Sequence, residues 1–209
     1  MIELLIATTN PAKLAEYRSL LRDFALRPIS LEDVGIDAEA PETASSFLAN
    51  ARLKAAFYAS RAGIPTLADD GGLEVDALGG APGVLSHRWL GSDHADDRAL
   101  AEEVIRRLTG VEAPRRTARI RAAAALLYAV DGGRREAVAE AALEGVIADR
   151  CYREIRKGFP YRSVLYLPER GRYLAELSQE EATQLSQRRS VVDKLAADLA
   201  RLARTRPAS

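Results

Sequence analysis

Apolar positions in the first third of this chain fall in short continuous runs. Ile2 to Ala7 fits a strand buried on both faces, and it breaks at Thr8-Thr9-Asn10-Pro11. Pro11 suits the first turn of a helix capped by Asn10 or Thr9, and that helix is predicted to about Asp23. Leu26 to Ser30 reads as a second strand, followed by an irregular acidic segment, Glu32 to Glu42. Thr43, Ser45 and Ser46 offer caps for a helix to about Ala62, stopped by Gly63 before Pro65. Thr66 to Ala68 reads as the end of a buried strand that delivers Asp69 and Asp70 to a turn made by the glycines after them. Ser86 to Trp89 then reads as extended, and Asp93 to Leu108 as a helix ended by Gly110. Thr117 to Val130 and Arg135 to Ile147 flank Asp131-Gly132-Gly133, a hairpin signal, although their alanines would equally suit two helices. Lys157 to Leu174 reads as loop and strand. Ser178-Gln179-Glu180-Glu181 is a capping box opening a short helix, Ser190 to Leu202 a longer amphipathic one, and the last residues a frayed tail. Strands alternating with helices, then a hairpin, then terminal helices predict an α/β fold.

Composition narrows the chemistry. The 209 residues suffice for a sizeable core, and 30 basic against 30 acidic residues leave no global field for nucleic acid or an anionic membrane. Cys151 is the only cysteine, which excludes an internal disulfide and fits a reducing compartment. No apolar run approaches a membrane span and no signal pattern precedes the first strand, so a cytoplasmic protein is expected. His87 and His94 are the only histidines, which argues against a multi-histidine zinc site. Catalysis would fall to carboxylates, lysines, arginines and an added metal.

Three places could carry that chemistry. The first strand-to-helix turn offers backbone N–H groups and a positive helix end to a phosphate, and Lys13 in the first helical turn is unfavourable there unless an anion offsets it. A solvated Lys13 is the bland alternative. On the second helix, Phe47, Asn50, Lys54, Phe57 and Arg61 share a face that is odd as core but sensible as a wall for a polyanion, unless Lys54 snorkels to solvent. Asp69 and Asp70 beside a glycine-rich stretch suit Mg²⁺, which takes carboxylate oxygens and leaves positions for water and phosphate. Alone, Asp-Asp-Gly reads more readily as a surface turn capped by solvated aspartates.

In order along the chain stand Ala7-Thr8-Thr9-Asn10 with Lys13 and Glu16, Pro41-Glu42-Thr43 with Ser46-Phe47, Asn50-Ala51 and Lys54-Ala55. Then come Ala68-Asp69-Asp70, Gly72-Leu73-Glu74-Val75, and Leu78-Gly79-Gly80-Ala81-Pro82-Gly83-Val84 with Arg88. With these motifs the chain resembles the Ham1 family of inosine triphosphate pyrophosphatases, which hydrolyse non-canonical purine nucleoside triphosphates to monophosphate and pyrophosphate. The resemblance spans Ile6 to Val192. It implies a long mixed twisted sheet flanked by helices, two lobes with a central cleft (ITPase/Maf-like), forming one domain over 1–195 with a helix end and tail over 196–209. It also implies a homodimer, with Trp89 and Leu90 as apolar anchors, and no nucleic-acid or membrane partner. Thr8, Thr9, Asn10 and Lys13 would hold the triphosphate, Lys54 would reach it from the second helix beside Asn50, and Gly71 stands where a serine is common. Glu42 and Asp70 would engage Mg²⁺, and Asp70, supported by Asp69, would position or deprotonate the attacking water.

The base-side half departs from the family pattern. Gly158-Phe159-Pro160-Tyr161-Arg162-Ser163 replaces Gly-Phe-Gly-Tyr-Asp-Pro, Ala182 replaces a lysine, and Ser186-Gln187-Arg188 replaces Ser-His-Arg. Phe159 could still stack on a base and Arg188 still donate to a purine carbonyl, with Gln187 beside it. Arg162 is either a new ligand contact or a surface arginine in an exchanged ion pair. The expectation is a Mg²⁺-dependent pyrophosphatase with altered base choice. A nucleotide-binding paralogue with little or no turnover, and a hydrolase of another phosphorylated substrate, stand as alternatives.

Overall fold

The computed structural model describes residues 1–91, 95–130 and 132–205. The predicted helix start at Asp93, His94, the hairpin residue Asp131 and the end of the tail, 206–209, lie outside the described residues.

Among the described residues seven strands form one mixed sheet, flanked by five helices. The strands are β1 (Ile2–Ala7), β2 (Leu26–Ile29), β3 (Thr66–Val75), β4 (Thr117–Val130), β5 (Gly133–Ile147), β6 (Leu165–Leu167) and β7 (Arg172–Tyr173). The helices are α1 (Pro11–Leu20), α2 (Phe47–Ala62), α3 (Asp97–Arg107), α4 (Gln179–Leu185) and α5 (Gln187–Arg204). The sheet order is β2-β1-β3-β4-β5-β6-β7. β1 runs parallel to β2 and β3, while β6 is antiparallel to β5 and β7. The chain divides into two compact units, one of Met1–Asp70, Ala122–Ala141 and Arg188–Ser209, the other of Gly71–Arg121 and Ala142–Gln187.

In the first unit the sheet is covered on both faces. Leu4 and Ile6 of β1 pack in a core with Tyr17 and Leu20 of α1 and Val191, Leu195 and Leu199 of α5. Leu5 and Ala7, which alternate with them, pack in another with Ala51, Ala55 and Tyr58 of α2. Burial on both faces explains why β1 reads as a continuous apolar run. It also explains the alanines of β4: Ala122 and Ala124 serve one core and Ala125 the other, in a strand and not a helix. The second unit has its own core, where Leu100, Ala101 and Val104 of α3 meet Leu73, Val75, Val164 and Leu165.

Five sequence expectations change. β3 does not turn after Asp70 but runs on through Gly71 and Gly72 to Val75. Gly72 answers to close approach: a Cβ there would lie 2.0 Å from Ser86 Oγ, whose hydroxyl accepts from the Leu73 N–H at 3.0 Å. Ser86 to Trp89 is turn and not strand, following a 3₁₀ turn at Gly83–Leu85 into which Ser86 hydrogen-bonds back. α1 ends at Leu20, earlier than expected, and α3 begins at Asp97 with Asp96 as cap. α5 is longer than its predicted span because Val191, Val192, Leu195, Leu199 and Leu202 keep one face buried along it.

Candidate active site

Strand alternation sorts the two aspartates. Leu67 packs in the core under α1 and α5 and Ala68 in the core under α2, so Asp69 falls to the first face and Asp70 to the second. Because β1 pairs in parallel with β3, with Ala7 opposite Ala68, the turn from β1 into α1 emerges beside Asp69, at the carboxyl end of β1.

Asp69 is the hub. Its Oδ2 accepts from Arg188 Nε at 2.8 Å, its Oδ1 faces Lys13 Nζ at 3.2 Å, and its backbone oxygen accepts from Lys54 Nζ at 2.9 Å. Burial alone would raise the pKa of this carboxyl, but the charges of Arg188, Lys13 and Lys54 outweigh it and hold Asp69 well below the usual carboxylate range. Lys13 is 5 % exposed and Lys54 8 %, so neither is a solvated helix lysine. Desolvation lowers the Lys13 pKa against the pull of Asp69. For Lys54 desolvation acts the same way but is outweighed by Glu42, whose Oε1 lies 2.7 Å from Nζ, together with Asp69 and Asp70, and the ammonium is reinforced.

Asp70 lies under the opposite balance. Burial raises its pKa, Lys13 and Lys54 oppose that, and the neighbouring Glu42 carboxylate adds to it. Asn50 Nδ2 donates to Asp70 Oδ2 at 3.0 Å, and the Asn50 carbonyl accepts from the Ala44 N–H at 2.9 Å, which fixes the amide orientation. At the start of α1 the N–H groups of Ala12 and Lys13 are capped by Asn10 Oδ1, and the Asn10 N–H by Thr8 Oγ1. The expected open cradle of backbone donors is therefore filled by Asn10, and the cation facing the site there is the Lys13 ammonium. Thr9 is exposed.

Thr8, Asn10, Lys13, Glu42, Asn50, Lys54, Asp69, Asp70 and Arg188 thus come together in the first unit. Gly71, Phe159, Arg162 and Gln187 belong to the second. There Arg162 is no surface residue: it is 6 % exposed, and its guanidinium lies 4.0 Å from the centre of the Phe159 ring. The 3₁₀ turn holding it (Pro160–Ser163) is anchored by Asp97, which accepts from the Gly158 N–H, and by the Tyr161 hydroxyl, which donates to Ser86 O.

The family model for the Ham1 family matches residues 4–198, nearly all of this framework. The chain belongs to the Ham1 family. It is 43 % identical over 195 residues to a dITP/XTP pyrophosphatase of Geobacillus kaustophilus, covering 93 % of each chain. A second dITP/XTP pyrophosphatase, of Bacillus subtilis, is 36 % identical over 195 residues, covering 93 % of this chain and 96 % of that one. Among solved structures, a HAM1 protein from Coxiella burnetii superposes with a TM-score of 0.82 at 32 % identity, over 96 % of this chain and 100 % of that chain.

For this Ham1 chain the donor set can be weighed against the cation its sequence suggests. Among the described residues no group of three or more His, Cys, Asp or Glu side chains could cage a metal unaided. Mg²⁺ does not require one: it binds through one or two carboxylates and completes its shell with water and substrate phosphate. Glu42 and Asp70 offer two hard oxygen donors whose mutual repulsion raises the Asp70 pKa, and a divalent ion would relieve it. The residues fit the ion.

Two residues of the cluster had no role in the sequence reading. Glu16 Oε2 lies 3.3 Å from Arg188 Nη1, and the Tyr17 hydroxyl is buried where desolvation and Asp69 keep its pKa well above the usual phenol value. The signal was present in α1: Lys13, Glu16, Tyr17 and Leu20 are its buried residues, at helical spacing, and two of the four carry charge.

Proposed function

We propose that this chain is a Mg²⁺-dependent pyrophosphatase that converts non-canonical purine nucleoside triphosphates to monophosphate and pyrophosphate. The observation that carries the reading is the convergence of Lys13, Lys54, Asp69 and Asp70, all buried, with the half-buried Glu42 in one cluster. Packing alone does not call for five charged groups there, whereas a polyphosphate with a divalent ion does. Both relatives named above are dITP/XTP pyrophosphatases, in agreement with it.

Each residue then has a task. Lys13 and Lys54 neutralise the triphosphate; Asp69 stays ionised to hold the Lys13 ammonium, while its backbone oxygen and Glu42 hold that of Lys54. Asp70, with its proton affinity raised by burial and its orientation set by Asn50, accepts the proton of the water that attacks the α-phosphorus as the bond to pyrophosphate breaks. Glu42 and Asp70 would hold Mg²⁺, which when bound supplies charge neutralisation and orientation of the phosphates. The base side is remodelled: Ala182 removes a donor, Gln187 puts an amide in place of an imidazole, and Arg162, stacked on Phe159, puts a cation where the family has an acid. Losing such hydrogen-bonding groups relaxes or redirects selectivity. The reading includes a homodimer, supported by Leu85 and Leu90 being 51 % and 40 % exposed, and a reducing cytoplasm, supported by the single free Cys151.

The test is a screen of ITP, XTP, dITP and the ordinary triphosphates with Mg²⁺, measuring pyrophosphate release, repeated after chelation. The expected result is metal-dependent release with weakened discrimination among bases. Release of orthophosphate, or no release from any triphosphate, overturns the activity. Strong preference for ITP and XTP overturns only the remodelled base side.

A further inference from the structure

After the 3₁₀ turn at Glu32–Val34, residues 36–44 form neither helix nor strand before α2 begins, and they carry Glu42. Three side chains of α2 hold this strap. The Tyr58 hydroxyl accepts from the Ala40 N–H at 3.1 Å, Lys54 Nζ lies 2.7 Å from Glu42 Oε1, and the Asn50 carbonyl accepts from the Ala44 N–H at 2.9 Å. Along these three rungs the helix positions fall by four while the strap positions rise by two, so the strap runs antiparallel to α2. The two spacings match, because four helical residues advance about 6 Å and two extended residues about 6.6 Å. Burial along the strap has the same period of two: Ala40, Glu42 and Ala44 are half-buried, and Pro41, Thr43 and Ser45 are exposed. Pro41, which has no N–H, falls at an outward position where no rung is made.

The rungs differ in what they fix. Lys54 and Glu42 meet through long, flexible side chains, and their ion pair alone leaves the backbone of the strap free to shift. The outer rungs hold backbone N–H groups two residues to either side of Glu42. Their acceptors are themselves held: Tyr58 is 3 % exposed in the core between β1 and α2, and the buried Asn50 donates to Asp70. The backbone from which the Glu42 carboxylate reaches toward Asp70 is therefore clamped at both ends. We infer that Tyr58 is a positioning residue for the candidate Mg²⁺ site, acting through the 40–44 strap on Glu42. This deepens the pyrophosphatase reading and rests on its assignment of Glu42 and Asp70 to the ion.

The experiment uses the full chain and Mn²⁺, which takes the same hard oxygen donors, as the probe. The free-ion signal is followed by electron paramagnetic resonance in the parent, Tyr58→Phe, Glu42→Gln and the double variant. Tyr58→Phe removes one hydroxyl and keeps the ring in the core. Loss of one neutral hydrogen bond predicts Mn²⁺ binding weaker by about threefold to tenfold, and amide hydrogen exchange across residues 37–46 faster by a similar factor. In the Glu42→Gln background the same substitution is expected to change Mn²⁺ affinity by less than about twofold, because the residue through which it acts is already gone. A general loss of stability would weaken both backgrounds alike, which separates positioning from packing. Mn²⁺ affinity unchanged by Tyr58→Phe, an equal loss in both backgrounds, or exchange across 37–46 as slow as in the parent each overturns the inference, as does a parent chain that binds no Mn²⁺. A parent chain that binds Mn²⁺ through Glu42 yet releases pyrophosphate from no triphosphate sinks the pyrophosphatase reading instead, and the four-way comparison still decides the role of Tyr58.

Discussion

Two neighbouring carboxylates, Asp69 and Asp70, sit under opposite electrostatic regimes, and substituting each by asparagine separates structure from chemistry. Asp69 is enclosed by Arg188, Lys13 and Lys54, so Asp69→Asn leaves buried cations facing a neutral amide. Breaking a buried ion pair from one side costs about 3–5 kcal/mol. In a chain of this size that lowers the melting temperature by roughly 6–20 °C. Asp70 is a carboxyl whose charged form burial disfavours, and Asn50 is its hydrogen-bond partner. Asp70→Asn is therefore expected to melt within a few degrees of the parent while kcat falls by about 10²–10⁴. Thermal melts and pyrophosphate release on the same samples check both; an Asp69→Asn variant as stable as the parent would mean that the ion cluster is not structural. Lys13, Lys54 and Asp70 were legible in the sequence because each is a charge in a context that should not hold one: a helix N-terminus, an aromatic face, the end of an apolar strand. The partner that orders them was not. Glu16 and Arg188 are 172 positions apart, and no local pattern states that they meet.

At the scale of elements, legibility followed local physics. β1, β2 and α2 were readable to within a residue because caps and apolar periodicity agree there: Ser46 caps the Ala49 N–H, and Gly63 at φ 67° ends α2. β3 was misread because glycine pairs signal turns more often than strands, and the reason for Gly72, the approach of Ser86 from 14 positions on, is tertiary. In α3, Glu103 accepts from Arg106 Nε and Nη2 at 2.7 and 2.6 Å and from Arg107 Nε at 2.7 Å. These hydrogen bonds hold Glu103 at a pKa of about 2 against its ordinary 4.5. A carboxyl depressed in the folded state stabilises it fully above the unfolded pKa and loses that contribution as pH falls through the folded one. With both arginines substantially exposed, each pair is worth about 0.2–0.5 kcal/mol. Glu103→Gln is thus expected to lower the melting temperature by about 1–4 °C at pH 7 and by nothing resolvable at pH 2, with the difference fading between pH 4.5 and pH 2. A difference that grows on acidification would reverse the assigned sign.

For the whole molecule, equal numbers of acidic and basic residues leave no net charge to keep copies of the chain apart. Association then depends on where apolar surface is left exposed. Trp89 lies under the Arg107 guanidinium, whose carbon is 4.3 Å from the ring centre, and it packs against the core of the second unit. The side chains that a partner could cover in that segment are its neighbours Leu85 and Leu90, 51 % and 40 % exposed. Fully burying a leucine is worth about 1.5–3 kcal/mol, so replacing both by aspartate is expected to weaken a homodimer by at least a hundredfold. Sedimentation velocity at micromolar concentration should find a dimer for the parent and a monomer for Leu85→Asp/Leu90→Asp. Val138→Asp, at an exposed apolar position on β5, should leave the dimer intact. The cluster around Asp69 draws all its charges from one chain, so the monomeric variant should keep its affinity for inorganic tripolyphosphate. A parent that sediments as a monomer would remove the homodimer from the proposed function, and a variant that loses tripolyphosphate with its partner would show that the polyphosphate site needs a second copy.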